Sequence, residues 1–438
     1  MCGGPVLSRI RDLFFDEFYD ELERVAVGIE KEERADQPPL LTDETRSRWH
    51  TYAPDPEGRE GALVSVDGGV QFSSFAYGDF VAVARACALV HVPGRSQTVE
   101  KSVKIYVGEV FDDRDRGFIP GYVRMITEYN TAYAAATRVL EDGGAPVVLM
   151  DGSLYFGRFP YAVREYIHHG ELLTELFESI TRLRCLSRDH GFPLVGVTKD
   201  STVFYMYMAM MRRAVGDAGL GWLVPEVEEA SNPFSLRMKA EQWPQNRRAQ
   251  AEVFLERRPL CDTALVNEVM REEGFTNPLL LAPSIYYARD GDTTDLYKRI
   301  RNSVAKLKAE KMIRAIDGFF KCPGVAVTYW KPTEKARPFR VDVSASWLGY
   351  NEPWDRRKTN EFVDSEANMG SMERVLNHLG YWHVNPIEYN VPLRQADMLA
   401  RFDRELYRQK YEPFIVKRLE RAGLIVTDSR RDIREVDG

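Results

Sequence analysis

The sequence predicts an α/β protein in which an antiparallel meander is followed by alternating helices and buried strands. Three strand-like runs follow one another without a helix-length connection, at residues 62–66, 80–92 and 102–111. Such a succession is typical of an antiparallel meander. Beyond residue 119, helical patterns alternate with short apolar runs, which are typical of strands buried on both faces.

The later elements follow from the same periodicities. Met125, Tyr129 and Ala132 lie at helical spacing in a predicted helix over residues 119–142, which leads into the buried strand VVLM at 147–150. Near the N-terminus, residues 7–33 predict an amphipathic helix packing on the main body. The remaining predicted elements are a helix at 169–190, a strand in PLVGVT, a basic helix at 295–319, strands in VAVTYW and FRVDVS, and a final helical segment from Pro392.

Composition limits the class of protein. The chain has 438 residues, 44% of them hydrophobic and 29% charged, as in soluble globular proteins. No apolar run approaches the ~18 residues of a membrane span, and acids stand where a signal peptide would be apolar, so we expect a cytoplasmic protein with no membrane partner. The five cysteines are scattered, which indicates neither a disulfide framework nor a structural zinc site. A net charge of −7 excludes a wholly basic surface but allows nucleic acid along one local stripe.

Two acids follow apolar runs and precede glycine. Asp151 ends the strand VVLM and is followed by Gly152, and Asp67 ends the run ALVSV and is followed by Gly68. A carboxylate delivered to the tip of a buried strand is accessible to water and substrate. The alternative is a hairpin turn, because Asp-Gly between apolar residues is a strong hairpin signal.

Two further acids lie on helix faces that should be apolar. Glu128 falls on the stripe of the helix at 119–142, and Asp397 shares a face with Leu393 and Ala400, with Asp403 as a competitor on the same segment. An isolated buried charge is very costly, so such an acid must be paired, protonated or bound to a metal, unless it turns out to solvent. If the four acids converge, their hard oxygen ligands suit Mg²⁺ or Mn²⁺, and two such ions about 4 Å apart would serve phosphodiester hydrolysis. The acids therefore outline a nuclease site.

Basic residues supply candidate DNA contacts. Lys199 follows the strand PLVGVT, where it could bind a phosphate, although a solvated lysine is common at strand ends. Lys306, Lys308 and Lys311 belong to the most basic stripe of the chain, in the predicted helix at 295–319. We expect these three to contact the DNA backbone, with a solvated helix face as the alternative.

The ordered set SVDGG, MITEYNTAYAA, VVLMDGSL, VGVTKDS and VPLRQADMLARF resembles the NurA nuclease family over roughly residues 60–420. The resemblance implies an RNase H-like fold with a mixed central sheet flanked by helices. It also implies that Asp67, Glu128 and Asp151 are metal-binding acids and that Lys199 matches a lysine of the family. Asp397 departs from the family pattern, since it falls where relatives often carry His.

The resemblance further implies a manganese-dependent nuclease, with Mg²⁺ as the alternative ion, that acts on DNA ends, including single strands, in end processing. DNA repair and defence against foreign DNA are the two alternative roles. The resemblance implies a homodimer that works with the hexameric HerA translocase. The sequence contains no GxxxxGK[ST] loop, so the motor should come from a partner. We divide the chain into an N-terminal helix and linker (residues 1–60), a NurA-like nuclease domain (61–425, with a divergent or inserted region at 200–290) and a polar tail (426–438).

Two other classes of function fit less well. A phosphatase of the haloacid dehalogenase class would carry its nucleophile two residues before Asp151, and that residue is Leu149. A catalytically silent RNase H-like module that only binds DNA or assembles with a motor would be marked by the loss of an acid, and all four acids are present.

Overall fold

The structure, a computed structural model, describes residues 19–25, 40–75, 78–110, 113–155, 160, 163–230, 232–255, 259–283, 295–385 and 390–423. The chain divides into two units, Met1–Pro39 and Leu40–Gly438. In the first unit, residues 19–25 form a helix, α1, and the rest of the helix predicted at 7–33 lies outside the described residues. The predicted polar tail at 426–438 also lies outside them.

The second unit is built on one mixed sheet, in which the described residues contribute eleven strands. The strands are β1 (Trp49–Thr51), β2 (Ala62–Ser74), β3 (Asp79–His91), β4 (Thr98–Glu109), β5 (Pro146–Asp151), β6 (Leu194–Thr198), β7 (Gly274–Thr276), β8 (Leu279–Leu280), β9 (Val325–Lys331), β10 (Phe339–Ser344) and β11 (Glu361–Phe362).

The strand order is β1-β7-β9-β10-β6-β5-β2-β3-β4, with β8 pairing with β9 and β11. β2, β3 and β4 form the predicted antiparallel meander, and β2, β5 and β6 are parallel neighbours. The fold class is therefore confirmed as α/β with a mixed central sheet. A meander followed by two strands parallel to its first strand is compatible with the RNase H-like arrangement that the resemblance implies.

Helices cover both faces of this sheet. α3, α5, α6 and α12 share one hydrophobic core with one face, and α13 and α14 pack on the other. The helices are α2 (Thr42–Ser47), α3 (Asp113–Glu141), α4 (Val163–His168), α5 (Gly170–His190), α6 (Tyr205–Asp217), α7 (Leu223–Glu229), α8 (Pro233–Ala240), α9 (Gln245–Ala251), α10 (Asp262–Val269), α11 (Asp295–Ala305), α12 (Glu310–Lys321), α13 (Glu366–Tyr381), α14 (Val391–Ala400), α15 (Arg404–Leu406) and α16 (Glu412–Arg421). Short 3₁₀ turns lie at Pro56–Gly58, Glu252–Phe254, Ala345–Leu348 and Trp354–Arg356, and a π-helical turn lies at Tyr407–Tyr411.

Alternation along the strands decides which face each side chain reaches. Val64 and Val66 of β2 lie in the core beneath α3, whereas Leu63 lies in the core beneath α13. Odd-numbered residues of this part of β2 therefore point toward α13 and α14. The same parity holds on β5, where Leu149 packs with the α13 side.

Two predicted helices are wrong in their extent. The helix predicted at 295–319 is divided into α11 and α12, with Lys308 in the connection at a positive φ of 54°. The helical segment predicted from Pro392 is likewise interrupted, since α14 ends at Ala400 and α15 begins at Arg404. Among the described residues, no helix combines the length and apolar character needed to cross a bilayer.

Candidate active site

Asp67 and Asp151 lie side by side near the centre of the sheet. The parallel pairing of β2 with β5 places Val66 opposite Met150, so the two aspartates are the next residues on adjacent strands. By the alternation described above, both carboxylates point toward the side of α13 and α14. The structure therefore brings the two Asp-Gly motifs together.

Asp67 occupies a different position from the predicted strand end. β2 continues through it to Ser74 and stays paired with β3, whereas its pairing with β5 ends at Val66. The prediction of a strand tip and the alternative of a hairpin turn are therefore both wrong for Asp67. Asp151 does end its strand, and Gly152 follows with a φ of 117°, a conformation that favours glycine.

Glu128 reaches this point from the opposite face of the sheet. It lies on α3, as predicted, and is only 6% exposed. A Cβ added to Gly68 would lie 2.7 Å from Glu128 Oε1. The glycine after Asp67 thus lets the glutamate lie directly against β2, near enough for the charges of Asp67 and Asp151 to raise its pKa.

Asp397 approaches from α14, which packs on the same side as Asp67. Asn390 caps the N-terminus of α14 by accepting a hydrogen bond from the backbone N–H of Leu393 (3.1 Å). The charge of Asp397 contributes to raising the pKa of Asp67. Asp403 instead caps α15 by accepting from the Leu406 N–H (3.0 Å), which gives the competing acid a structural role.

Burial and mutual repulsion dominate the electrostatics of the cluster. Desolvation, followed by the charge of Asp151, raises the pKa of Asp67 to about 7. Desolvation also raises the pKa of Glu128 to about 8, although the Arg124 guanidinium opposes this shift. Like-charged carboxylates in a low dielectric resist ionisation, and a bound cation would relieve that cost.

Two basic side chains flank the acids. Lys199 Nζ lies 3.2 Å from Asp151 Oδ2, and Arg124 Nε lies 3.4 Å from Glu128 Oε1. Both cations are partly exposed, at 46% and 44% of their side chains. The sequence analysis predicted Lys199 but missed Arg124, whose signal is its position one helical turn before a buried glutamate.

The donor set fits a divalent cation. Within the part of the chain that the structure describes, buried Glu128 Oε1 has its ion pair with Arg124 but no hydrogen-bond partner, so this oxygen is available as a ligand. Within the described ranges, however, no three His, Cys, Asp or Glu side chains already stand at metal-binding separations. A bound cation would therefore require these acids to lie closer together than the structure places them.

A buried ionic network holds the turn that follows β5. Asp342 Oδ2 accepts from the Ser153 hydroxyl (2.7 Å) and from the backbone N–H groups of Leu154 (2.9 Å) and Tyr155 (3.2 Å). Arg340 donates to both Asp342 oxygens, at 2.8 and 3.0 Å. This network fixes the turn beside Asp151. The sequence analysis missed it, although Arg and Asp within the apolar strand FRVDVS are the signal that marks it.

Arg85 of β3 anchors the C-terminal end of α14. Its Nε donates to the carbonyl oxygen of Ala400 (2.7 Å), and its Nη2 donates to the carbonyl of Arg401. Its guanidinium also lies 4.4 Å from the ring centre of Phe402. A Cβ on Gly69 would lie 2.7 Å from the Ala400 oxygen, so α14 sits directly on β2. Arg85 therefore positions the helix that carries Asp397.

We expect Arg85→Met to loosen α14 and to weaken Mn²⁺ binding by roughly 10- to 100-fold, the usual scale for groups that orient a ligand. The physical reason is that two helix-end carbonyls lose their donor. Isothermal titration with Mn²⁺ measures the effect, with partial recovery in Arg85→Lys. Arg138→Met removes an exposed arginine that pairs with Glu100 and serves as the control. Unchanged Mn²⁺ affinity in Arg85→Met would exclude the positioning role.

The three lysines expected to contact DNA lie apart from the acids. Lys306 and Lys308 are exposed in the connection between α11 and α12, and Lys311 of α12 lies 3.8 Å from Glu178 of α5. α12 packs against α5 on the face of the sheet opposite to α14. The structure thus places these lysines on a separate surface.

The fold and the cluster together define an α/β protein with a carboxylate-rich site at the point where the parallel pairing of β2 with β5 ends. The model of the NurA domain matches residues 61–402, most of the chain, and the protein therefore belongs to the NurA family. This confirms the resemblance drawn from the sequence. Family membership supports a nuclease-type role.

Two solved structures are similar over most of the chain. A crystal structure of NurA bound to dAMP and manganese is 11% identical, with 93% of this chain and 97% of that chain covered and a TM-score of 0.40. A crystal structure of NurA is 13% identical, with 92% and 98% covered and a TM-score of 0.42. Comparison with curated proteins gave no match.

Proposed function

We propose that this chain is a divalent-metal-dependent deoxyribonuclease that hydrolyses phosphodiester bonds at DNA ends and in single strands. The observation that carries the proposal is the approach of Asp67, Glu128, Asp151 and Asp397 from two strands and two helices. Membership of the NurA family supports the same activity. Divalent ions held by such acids activate a water and stabilise the leaving oxygen in phosphodiester hydrolysis. Mn²⁺ is the proposed ion, and Mg²⁺ is the alternative.

The residues of the site have different roles in the proposed reaction. Asp67, Glu128 and Asp151 would hold the metal, with Asp397 as the fourth acid. Lys199 pairs with Asp151 through a partly exposed side chain, so it can turn toward a phosphate oxygen and neutralise its charge. Burial of Glu128 on α3 keeps its carboxylate in a fixed place when substrate arrives.

Further parts of the proposal concern partners. Lys306, Lys308 and Lys311 are proposed as sequence-independent contacts to the DNA backbone, because their exposed charges can neutralise phosphates. A HerA-type hexameric ATPase is proposed as the translocase, since the chain has no phosphate-binding loop for ATP. Assembly as a homodimer and location in the cytoplasm complete the proposal.

The decisive experiment is digestion of end-labelled linear, circular and single-stranded DNA in Mn²⁺ or Mg²⁺, with and without the purified ATPase of the same source. We expect linear and single-stranded DNA to be cut, closed circular duplex to resist, and chelation to stop cutting. The ATPase with ATP should speed digestion of linear duplex. If neither ion supports cutting of any substrate under either condition, the nuclease proposal fails, and a silent DNA-binding or assembly module takes its place.

A further inference from the structure

The C-terminal helix α16 has two unlike faces. Ile415, Val416 and Leu419 are half-buried against a small core that includes Val81 and Val83 of β3. The opposite face is exposed and carries no buried residue, and the exposed Glu420 lies at its edge, three residues after Lys417. We name this face the C-terminal stripe, and it consists of Tyr411, Phe414, Lys417, Arg418 and Arg421.

Spacing places the stripe on one side of the helix. Phe414, Lys417, Arg418 and Arg421 follow one another at i, i+3, i+4 and i+7, which is one face of an α-helix. Tyr411 precedes Phe414 by three residues and closes the π-helical turn. Such turns occur often at functional sites.

The exposed aromatic rings are the unusual feature. Phe414 is 72% exposed and Tyr411 is 50% exposed. Among the described residues, none of the stripe's three cations takes part in an ion pair. On the α11–α12 segment, by contrast, Arg301 pairs with Asp317. The stripe therefore combines open π-faces with uncompensated positive charge.

α16, which carries the stripe on its outer side, packs on the same face of the sheet as the acids. Val83, which lies beneath α16, and Cys87, which pairs with Asp67, have the same parity on β3. They are four residues apart, so the part of β3 beneath α16 begins about 13 Å from the acidic cluster at the usual strand rise. Ala396 and Ala400 of α14 pack beside Cys87, so α14 covers the part of this face nearest the acids.

From this arrangement we infer that the C-terminal stripe binds single-stranded DNA and guides it toward or away from the acidic cluster, an inference that rests on the proposed nuclease function. Cations interleaved with exposed aromatic rings are the common design for single strands, since phosphates meet the charges and unpaired bases stack on the rings. A duplex offers no free base to stack. A membrane is a poorer occupant, because the apolar face that would enter lipid is already packed on the sheet.

The test measures binding of the full chain to fluorescent oligothymidylate and to a hairpin duplex of equal charge, by anisotropy in chelator so that no DNA is cut. Tyr411→Ala with Phe414→Ala should weaken oligothymidylate binding roughly 10-fold, the scale of lost base stacking, and leave duplex binding unchanged. Lys417→Glu, Arg418→Glu and Arg421→Glu together should weaken both and flatten the salt dependence.

Matched controls carry the same chemical changes elsewhere. Phe234→Ala with Tyr381→Ala removes two other exposed rings, and Arg46→Glu, Arg356→Glu and Lys358→Glu repeat the charge reversal on exposed side chains. Neither control should weaken oligothymidylate binding by as much as the corresponding stripe variant does. Binding to phosphatidylserine vesicles is measured in parallel. Wild-type affinity for oligothymidylate in the aromatic stripe variant overturns the inference, as does a loss confined to vesicle binding.

Cleavage of the same oligonucleotide in Mn²⁺ separates this inference from the proposed function. If wild-type protein cuts DNA and both stripe variants bind and cut DNA as well as it does, the inference about the stripe is wrong and the proposed nuclease function is supported. If wild-type protein cuts no DNA while the stripe variants lose oligothymidylate binding, the proposed nuclease function is wrong and the inference about the stripe is supported. Because the substituted side chains are exposed, thermal unfolding should show that the variants keep their fold.

Discussion

Asp151→Asn is expected to lower the rate of metal-dependent DNA cleavage by roughly 1,000-fold or more. Removal of one group that stabilises a transition state already lowers a rate by a factor of this order. Asp151 ends β5 directly beside Asp67. Its carboxylate offers a cation two oxygen ligands and a negative charge, whereas the amide of asparagine offers one oxygen ligand and no charge. The fold should persist, because the 19% exposed side chain pairs with the surface residue Lys199 and the turn beyond it is held by Asp342. Initial rates on end-labelled single-stranded DNA at saturating Mn²⁺ measure the loss.

The C-terminal acids provide the comparison for that experiment. Asp397→Asn should also reduce cleavage, since Asp397 is the proposed fourth acid and lies near enough to Asp67 for its charge to raise the pKa of Asp67. Asp403→Asn should cleave like wild type, because asparagine caps a helix as well as aspartate does and Asp403 caps α15. Full activity in Asp151→Asn would exclude the proposed site, and loss in Asp403→Asn alone would move the fourth acid to α15.

The sequence predicted those parts of the site that depend on local patterns. Glu128 was recognisable because the stripe on which it lies is helical and apolar, and the structure buries it there. Asp151 was recognisable because its apolar run ends abruptly. The meander followed from the short connections between its strands, whereas the mixed sheet was implied by the resemblance to the NurA family. The first two features need only the periodicity of one element.

Other features depend on long-range pairing and could not be predicted locally. Asp67 lies within a strand because β3 continues to pair with β2 after β5 has separated. Gly68 and Gly69 look like turn residues, yet their role is to admit Glu128 and the carbonyl of Ala400. Arg85 contacts residues more than three hundred positions away, and no spacing signals that contact.

The basic helix predicted at 295–319, which the structure divides into α11 and α12, shows a third reason why a prediction from the sequence can be wrong. The chain between α11 and α12 contains neither glycine nor proline, and the turn is made by Lys308 in the left-handed region. A helical pattern without a breaker favours one helix. Packing of α11 against α4 and of α12 against α5 overrides it. Tertiary contact therefore decided the element's extent, and the two halves carry their lysines in different settings.

The raised pKa of Glu128 predicts how the metal-free protein responds to pH. In the unfolded chain this carboxyl loses its proton near its ordinary pKa, whereas in the folded chain burial raises its pKa to about 8. Between those values the folded state binds the additional proton, so folding stability falls as pH rises from about 5 to about 8. Each pKa unit corresponds to about 1.4 kcal/mol, and the full penalty above the folded pKa is therefore on the order of 5 kcal/mol.

Glu128→Gln removes this ionisation while keeping the shape of the side chain. We therefore expect the variant to match wild-type stability near pH 5 and to exceed it above pH 8 by a few kcal/mol when both are in chelator. Chemical denaturation at a series of pH values measures the difference. Glu268→Gln, an exposed glutamate on α10, is the control and should follow the wild-type curve. Parallel curves for wild type and Glu128→Gln would mean that Glu128 is already ionised in the folded protein.

Addition of Mn²⁺ should narrow the difference in stability between Glu128→Gln and wild type at high pH. A ligand that binds only the folded state at 100 times its dissociation constant adds about 2.7 kcal/mol, and it binds the ionised carboxylates. Wild-type protein should thus gain stability with Mn²⁺ at pH 8 and gain little at pH 5, where Asp67 and Glu128 are protonated because their pKa values lie at about 7 and about 8. Glu128→Gln should gain much less at either pH. Equal gains in wild type and variant would place the metal away from Glu128, whatever the protein does to DNA.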